Sequence, residues 1–108
     1  MNSDKVLRYM GLAKRAGHLS VGFNTCEAMM KKKEIKLFVI AEDLSDNSKD
    51  KVRSLAKSFD VELLEYSSME KLSQITGEEH SGVYGIKDKN LAEAIKKEIA
   101  ISNKQEVL

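Results

Sequence analysis

Leu37-Phe38-Val39-Ile40-Ala41 is the feature that most constrains this chain: an apolar run with no polar interruption. A strand with one wet face alternates apolar and polar residues. A short continuous run is instead buried on both faces, and that requires helices on either side of its sheet. The remaining sequence supplies them. Val6, Leu7, Met10 and Ala13 recur at helical spacing after the cap candidates Ser3 and Asp4, which predicts a first helix to about Ala16, stopped by Gly17. Residues 18–21 form a short strand ended by Gly22. A second helix runs from about Asn24 to Lys33, with Cys26, Ala28, Met29 and Met30 as its apolar surface. Ser45 or Asn47 caps a third helix whose face is Val52, Leu55, Ala56 and Phe59, and a strand follows over residues 61–66. Ser67 and Glu70 match a capping box for a short fourth helix carrying Leu72 and Ile75, which Gly77 ends. Residues 83–86 are the last strand. Asn90 opens a final helix through Leu91, Ala94, Ile95 and Ile99. This alternation predicts an α/β fold: a three-layer α/β/α sandwich around a small mixed central sheet. One domain is expected over residues 1–101, with a frayed tail at 102–108.

Several function classes drop out on composition. A single cysteine, Cys26, rules out an internal disulfide framework, and with His18 and His80 as the only histidines there is no credible zinc cluster. Cys26 lies beside Met29 and Met30, the setting of a small buried hydrophobe rather than a nucleophile. No Gly-rich phosphate cradle occurs, because Gly11, Gly17 and Gly22 are spread through separate elements. Glu42-Asp43 follow the central strand, where ligands gather in α/β sheets, but acids before a helix start also serve as caps. No catalytic residue, metal site or cofactor is expected. No apolar run approaches the roughly 18 residues of a membrane span, and residues 1–5 have no apolar signal core, so a cytoplasmic location without membrane contact is expected.

The net charge of +1 speaks against nucleic acid until its distribution is examined. Residues 1–36 carry Lys5, Arg8, Lys14, Arg15, Lys31, Lys32, Lys33 and Lys36 against Asp4, Glu27 and Glu34, a local charge of +5; the rest of the chain sums to −4. A basic first third points to a polyanionic partner. Within it, Gly22-Phe23-Asn24-Thr25 opens a helix. Free backbone N–H groups and the positive dipole end can hold a phosphate there, while Asn24 and Thr25 can read a base edge. The same residues also suit an ordinary cap with a solvated lysine run, and on the residues alone both readings stay open.

The strings Gly11-Leu12-Ala13-Lys14-Arg15-Ala16-Gly17, Gly22-Phe23-Asn24 and Lys36-Leu37-Phe38-Val39-Ile40-Ala41-Glu42-Asp43, with Ser45, Asn47, Gly77 and Asp88, resemble the ribosomal protein family of L-seven-Ae type, most closely its small bacterial YlxQ-type members. The resemblance runs from about Leu7 to Ile95. It implies an α/β/α sandwich that binds structured RNA, often kink-turns with tandem sheared G·A pairs or ribosomal RNA, in ribosome or translation-factor contexts. In the family a Gly-x-Asn-Glu/Gln-x-x-Lys segment enters the groove at the G·A pairs. By that resemblance Asn24 contacts a G·A pair, Thr25 supports it, Gly22 permits close approach, and Lys14, Arg15 and Lys32 hold phosphates. The loop before the last strand, with His80 and Ser81, covers flipped-out nucleotides.

Two departures follow. Thr25 replaces Glu or Gln, and Ala28 stands where Lys is expected; a good bidentate base contact is worth about 1–3 kcal/mol of discrimination. Glu27, and Glu78-Glu79 beside His80, add acids near the proposed RNA face. Weaker, salt-sensitive binding is therefore expected, and a protein-interaction module on the same scaffold is the alternative. Phe23 either stacks on RNA or turns into the core, the commoner fate of a lone aromatic.

Overall fold

Strand β2 (Leu37–Ile40) has all four residues buried, and the computed structural model explains why. It describes residues 4–79 and 81–107, and from Lys104 onward the helical backbone alone. Side chains alternate across a strand. Leu37 and Val39 therefore enter one core with Val6 and Met10 of α1 (Lys5–Arg15), Leu72 of α4 (Met69–Thr76), and Ala92, Ile95 and Ile99 of α5 (Lys89–Val107). Phe38 and Ile40 enter a second core with Cys26 and Met30 of α2 (Phe23–Lys31) and Val52, Leu55 and Ala56 of α3 (Asp46–Ser58).

The sheet between these layers is mixed, in the order β1-β4-β2-β3. Strand β4 (Val83–Ile86) pairs antiparallel with both β1 (Leu19–Val21) and β2, while β3 (Leu63–Glu65) lies parallel to β2 after the α3 crossover. The expected three-layer α/β/α sandwich is the observed fold. Gly85 makes the second core possible: a Cβ there would lie 2.6 Å from Ile35 Cδ1 and 3.2 Å from Cys26 Sγ.

Helix ends follow local cap chemistry. Asp4 Oδ1 accepts from the Leu7 N–H at 3.1 Å, and Ser45 Oγ from the Ser48 N–H at 3.2 Å; the other cap candidate for α1, Ser3, lies outside the described residues. At α4 the cap is Ser68 rather than Ser67. Ser67 adopts φ 65° while its carbonyl accepts from the Glu42 N–H at 2.8 Å, and Asp43 Oδ1 accepts from the Met69 N–H at 2.8 Å. The loop after β2 thus sets where α4 begins. Asp43 serves the first N–H of α4 beside the Ser68 cap, not the following α3, and Asp88 Oδ2 accepts from the Leu91 N–H at 2.8 Å at the start of α5.

Two core assignments are corrected. Phe59 does not complete the buried face of α3 but is its C-cap residue and 39% exposed, and Ala28 of α2 is exposed while Cys26 and Met30 carry the burial. Among the described residues, no helix is long and apolar enough to cross a membrane.

Candidate nucleic-acid interface

Helix α2 begins without a side-chain cap. Gly22 occupies the N-cap position at φ 90°, ψ 152°, and having no side chain it leaves the first-turn N–H groups of Phe23, Asn24 and Thr25 to outside acceptors. Asn24 and Thr25 are exposed. A Cβ on Gly22 would meet nothing within 4 Å, so the backbone here faces open space. The positive dipole end, three donors and two short polar side chains share one surface, the equipment for an anion or a base edge.

Tertiary contacts bring the loop before β4 alongside. The Gly22 N–H donates to the Val83 carbonyl at 2.9 Å, which ties the start of α2 to the start of β4. Ser81, half-buried in that loop, donates its hydroxyl to the same Val83 carbonyl at 3.4 Å. His80 lies outside the described residues. Farther back, the Lys14 ammonium at the end of α1 forms an ion pair with the Glu78 carboxylate, joining α1 to the loop. The acidic loop and the predicted phosphate ligand are thus partners across 64 positions of sequence. Arg15 is exposed, and its guanidinium folds back along Gly11, where α1 packs against α4.

Lys32 belongs to a separate zone. It is the C-cap residue of α2, eight residues beyond Asn24 and so about 12 Å along the helix. Asn24, Ala28 and Lys32 follow one another at intervals of four on the exposed side, with Lys31, Lys33 and Lys36 exposed around the far end. Ala28 therefore stands in the gap between the polar start and the basic end of this face.

Phe23 is half-buried against the second core, and the Lys51 ammonium of α3 lies 4.6 Å from its ring centroid, a cation–π contact. Lys51 is a cation beside the α2 start that the sequence reading missed. It sits in the acidic portion of the chain, and no periodicity links it to residue 23. Cys26 is buried, its Sγ 3.7 Å from the Ser20 carbonyl, and burial pushes its thiol up to about 12.

The family model of the ribosomal protein L7Ae/L30e/S12e/Gadd45 family matches residues 4–96. The RNA-binding protein YlxQ of Enterococcus faecium is 32% identical over 95 residues, covering 88% of this chain and 91% of that protein. A solved structure from Bacillus halodurans, of a protein with unknown function, superposes with a TM-score of 0.85 at 21% identity, over 91% of this chain and 99% of the other. The 15.5kD RNA binding protein of Giardia lamblia superposes with a TM-score of 0.69 at 13% identity, over 93% of this chain and 89% of its own. At those identities the two structures bear on the fold.

Proposed function

The chain belongs to the ribosomal protein L7Ae/L30e/S12e/Gadd45 family, and from this premise we propose that it is a non-enzymatic, cytoplasmic binder of structured RNA, kink-turn-like or ribosomal, acting in translation in contact with the ribosome or a translation factor. Residues 1–101 form the binding domain, and the tail at 102–108 begins within α5, whose helix continues to Val107. The observation that carries the reading is the uncapped start of α2, with Asn24 and Thr25 exposed beside the loop that ends at Val83. Asn24 contacts a G·A pair, Thr25 supports it, and Gly22 lets the RNA backbone approach. Lys14, Arg15 and Lys32 hold phosphates, Phe23 buttresses the helix start, and His80 and Ser81 meet unstacked bases. With Ala28 in place of a cationic donor, base discrimination is about 1–3 kcal/mol lower than a lysine there would give.

Titration against a kink-turn RNA and a matched duplex lacking the G·A pairs, at two salt concentrations, tests this. Preference for the kink-turn, weakening steeply with salt, is expected; Ala28→Lys strengthens it, and Asn24→Ala weakens it. Equal affinity for the two RNAs removes kink-turn specificity, and an affinity unchanged by both Asn24→Ala and Lys32→Ala moves the site to another surface. Exposed Glu27 and Glu79, and the pairing of Lys14 with Glu78, favour a second reading, a module that docks a basic protein partner. Absence of binding to either RNA at low salt would remove the RNA reading and leave this one standing.

A further inference from the structure

We propose that Glu78 sets the affinity and selectivity of the RNA site by holding Lys14 where an RNA phosphate would otherwise hold it. This rests on the RNA-binding reading above. Lys14 and Glu78 meet across the gap between the end of α1 and the loop before β4, and both side chains keep partial contact with water, 38% and 36% exposed. A carboxylate and a phosphate oxygen present an ammonium with the same kind of charged acceptor. The protein therefore carries an internal occupant for one of its own phosphate ligands.

Position makes the occupant consequential. Glu78 belongs to the loop that closes on the start of α2 through Val83 and Gly22. An RNA phosphate that takes Lys14 competes with Glu78 for the ammonium, while the loop stays anchored to α2 through Val83 and to α4 through the Glu78 N–H, which donates to Thr76 Oγ1 at 3.4 Å. An RNA held at α2 stays bound even while Lys14 remains with Glu78, whereas one whose contact is Lys14 must displace the carboxylate in order to bind at all. The contact thus suppresses nonspecific phosphate binding more than site-specific binding. An exposed ion pair contributes only about 0.2–1 kcal/mol, so RNA can displace it.

The test is a double-mutant cycle read by RNA affinity and salt dependence, with Glu79→Gln as the control for simple charge repulsion. Wild type, Glu78→Gln, Lys14→Ala, the double variant and Glu79→Gln are titrated with the kink-turn RNA and the plain duplex. Circular dichroism establishes that each is folded. Glu78→Gln is expected to tighten binding about 1.4- to five-fold at low salt, the range of an exposed ion pair, with a larger gain for the plain duplex. The slope of log K against log [salt] steepens toward one further phosphate contact, about 0.7–0.9. In the Lys14→Ala background the gain falls to that of Glu79→Gln. A Glu78→Gln gain that persists without Lys14, or one equal to that of Glu79→Gln, overturns the inference while leaving RNA binding intact. If no variant binds either RNA at low salt, the RNA-binding reading fails and the inference with it.

Discussion

Replacing Gly22 by alanine tests the fold and the proposed site at one position. The backbone there, φ 90° and ψ 152°, lies in a region that residues with a Cβ scarcely visit, at a cost on the order of 1–3 kcal/mol. Crowding does not contribute, since a Cβ would meet nothing within 4 Å. Alanine also restricts the unfolded chain, which offsets the strain by about 0.4–1 kcal/mol. The net loss is then about 0–2.6 kcal/mol, centred on about 1.3 kcal/mol. For a urea m-value of about 1–3 kcal/mol/M the central loss lowers the midpoint by roughly 0.4–1.3 M, and it lowers Tm by about 4–8 °C per kcal/mol. Far-UV circular dichroism is the suitable probe, because the chain has no tryptophan. Gly77 supplies the contrast: its φ 75°, ψ 13° is the left-handed helical region, which asparagine tolerates. Gly77→Asn should therefore lose less than Gly77→Ala, whereas Gly22→Asn should lose as much as Gly22→Ala. Rotation at residue 22 would also weaken the 2.9 Å bond from its N–H to Val83 and shift Asn24 away from the neighbouring loop, so RNA affinity falls as well. An unchanged urea midpoint in Gly22→Ala, or relief by asparagine at position 22, would refute the assignment of strain.

Gly85→Ala should destabilise by about 1–3 kcal/mol through overpacking. Ile35→Val, which removes the Cδ1 lying 2.6 Å from the added Cβ, should recover part of the loss in a double-mutant cycle; strictly additive effects would count against the packing account. Tyr66 donates its hydroxyl to Asp4 Oδ2 at 2.7 Å, and burial together with that carboxylate raises the phenol from 10.0 to about 12. A raised pKa stabilises the fold while the group is protonated, so the stability difference between wild type and Tyr66→Phe should hold below pH 10 and shrink as pH rises to about 12. A difference constant across that window would contradict the sign. Cys26, pushed up to about 12 by burial, should resist iodoacetamide at pH 8 in the native protein and react in urea, as read by mass spectrometry; rapid native labelling would show an accessible thiol.

Much of the architecture was legible because its causes are local. The apolar run at 37–41 required cover on both faces, and the caps at Asp4 and Ser45 were readable as short polar side chains ahead of periodic apolar positions. Where the reading slipped, a distant contact had intervened. The α4 cap moved from Ser67 to Ser68 because the loop after β2 takes the Ser67 carbonyl and caps Met69 through Asp43. Phe59 kept the helical spacing of its face, yet α3 ends there and the ring stays at the surface. The start of α2 was legible as a candidate site from Gly22, Asn24 and Thr25, and the resemblance named Lys14 and the loop before β4, but the pairing of Lys14 with Glu78 and the placement of Lys51 over Phe23 were not legible.

By itself, then, the sequence determined the layers, the strands and the basic first third, because burial periodicity and cap chemistry act over a few residues. Only the tertiary structure decided how those charges are used. It paired Lys14 with Glu78, brought Lys51 over Phe23, and left Lys32 at the far end of α2 from Asn24. Long charged side chains at the surface follow no sequence period, and which of them meet depends on distances in space that folding alone establishes.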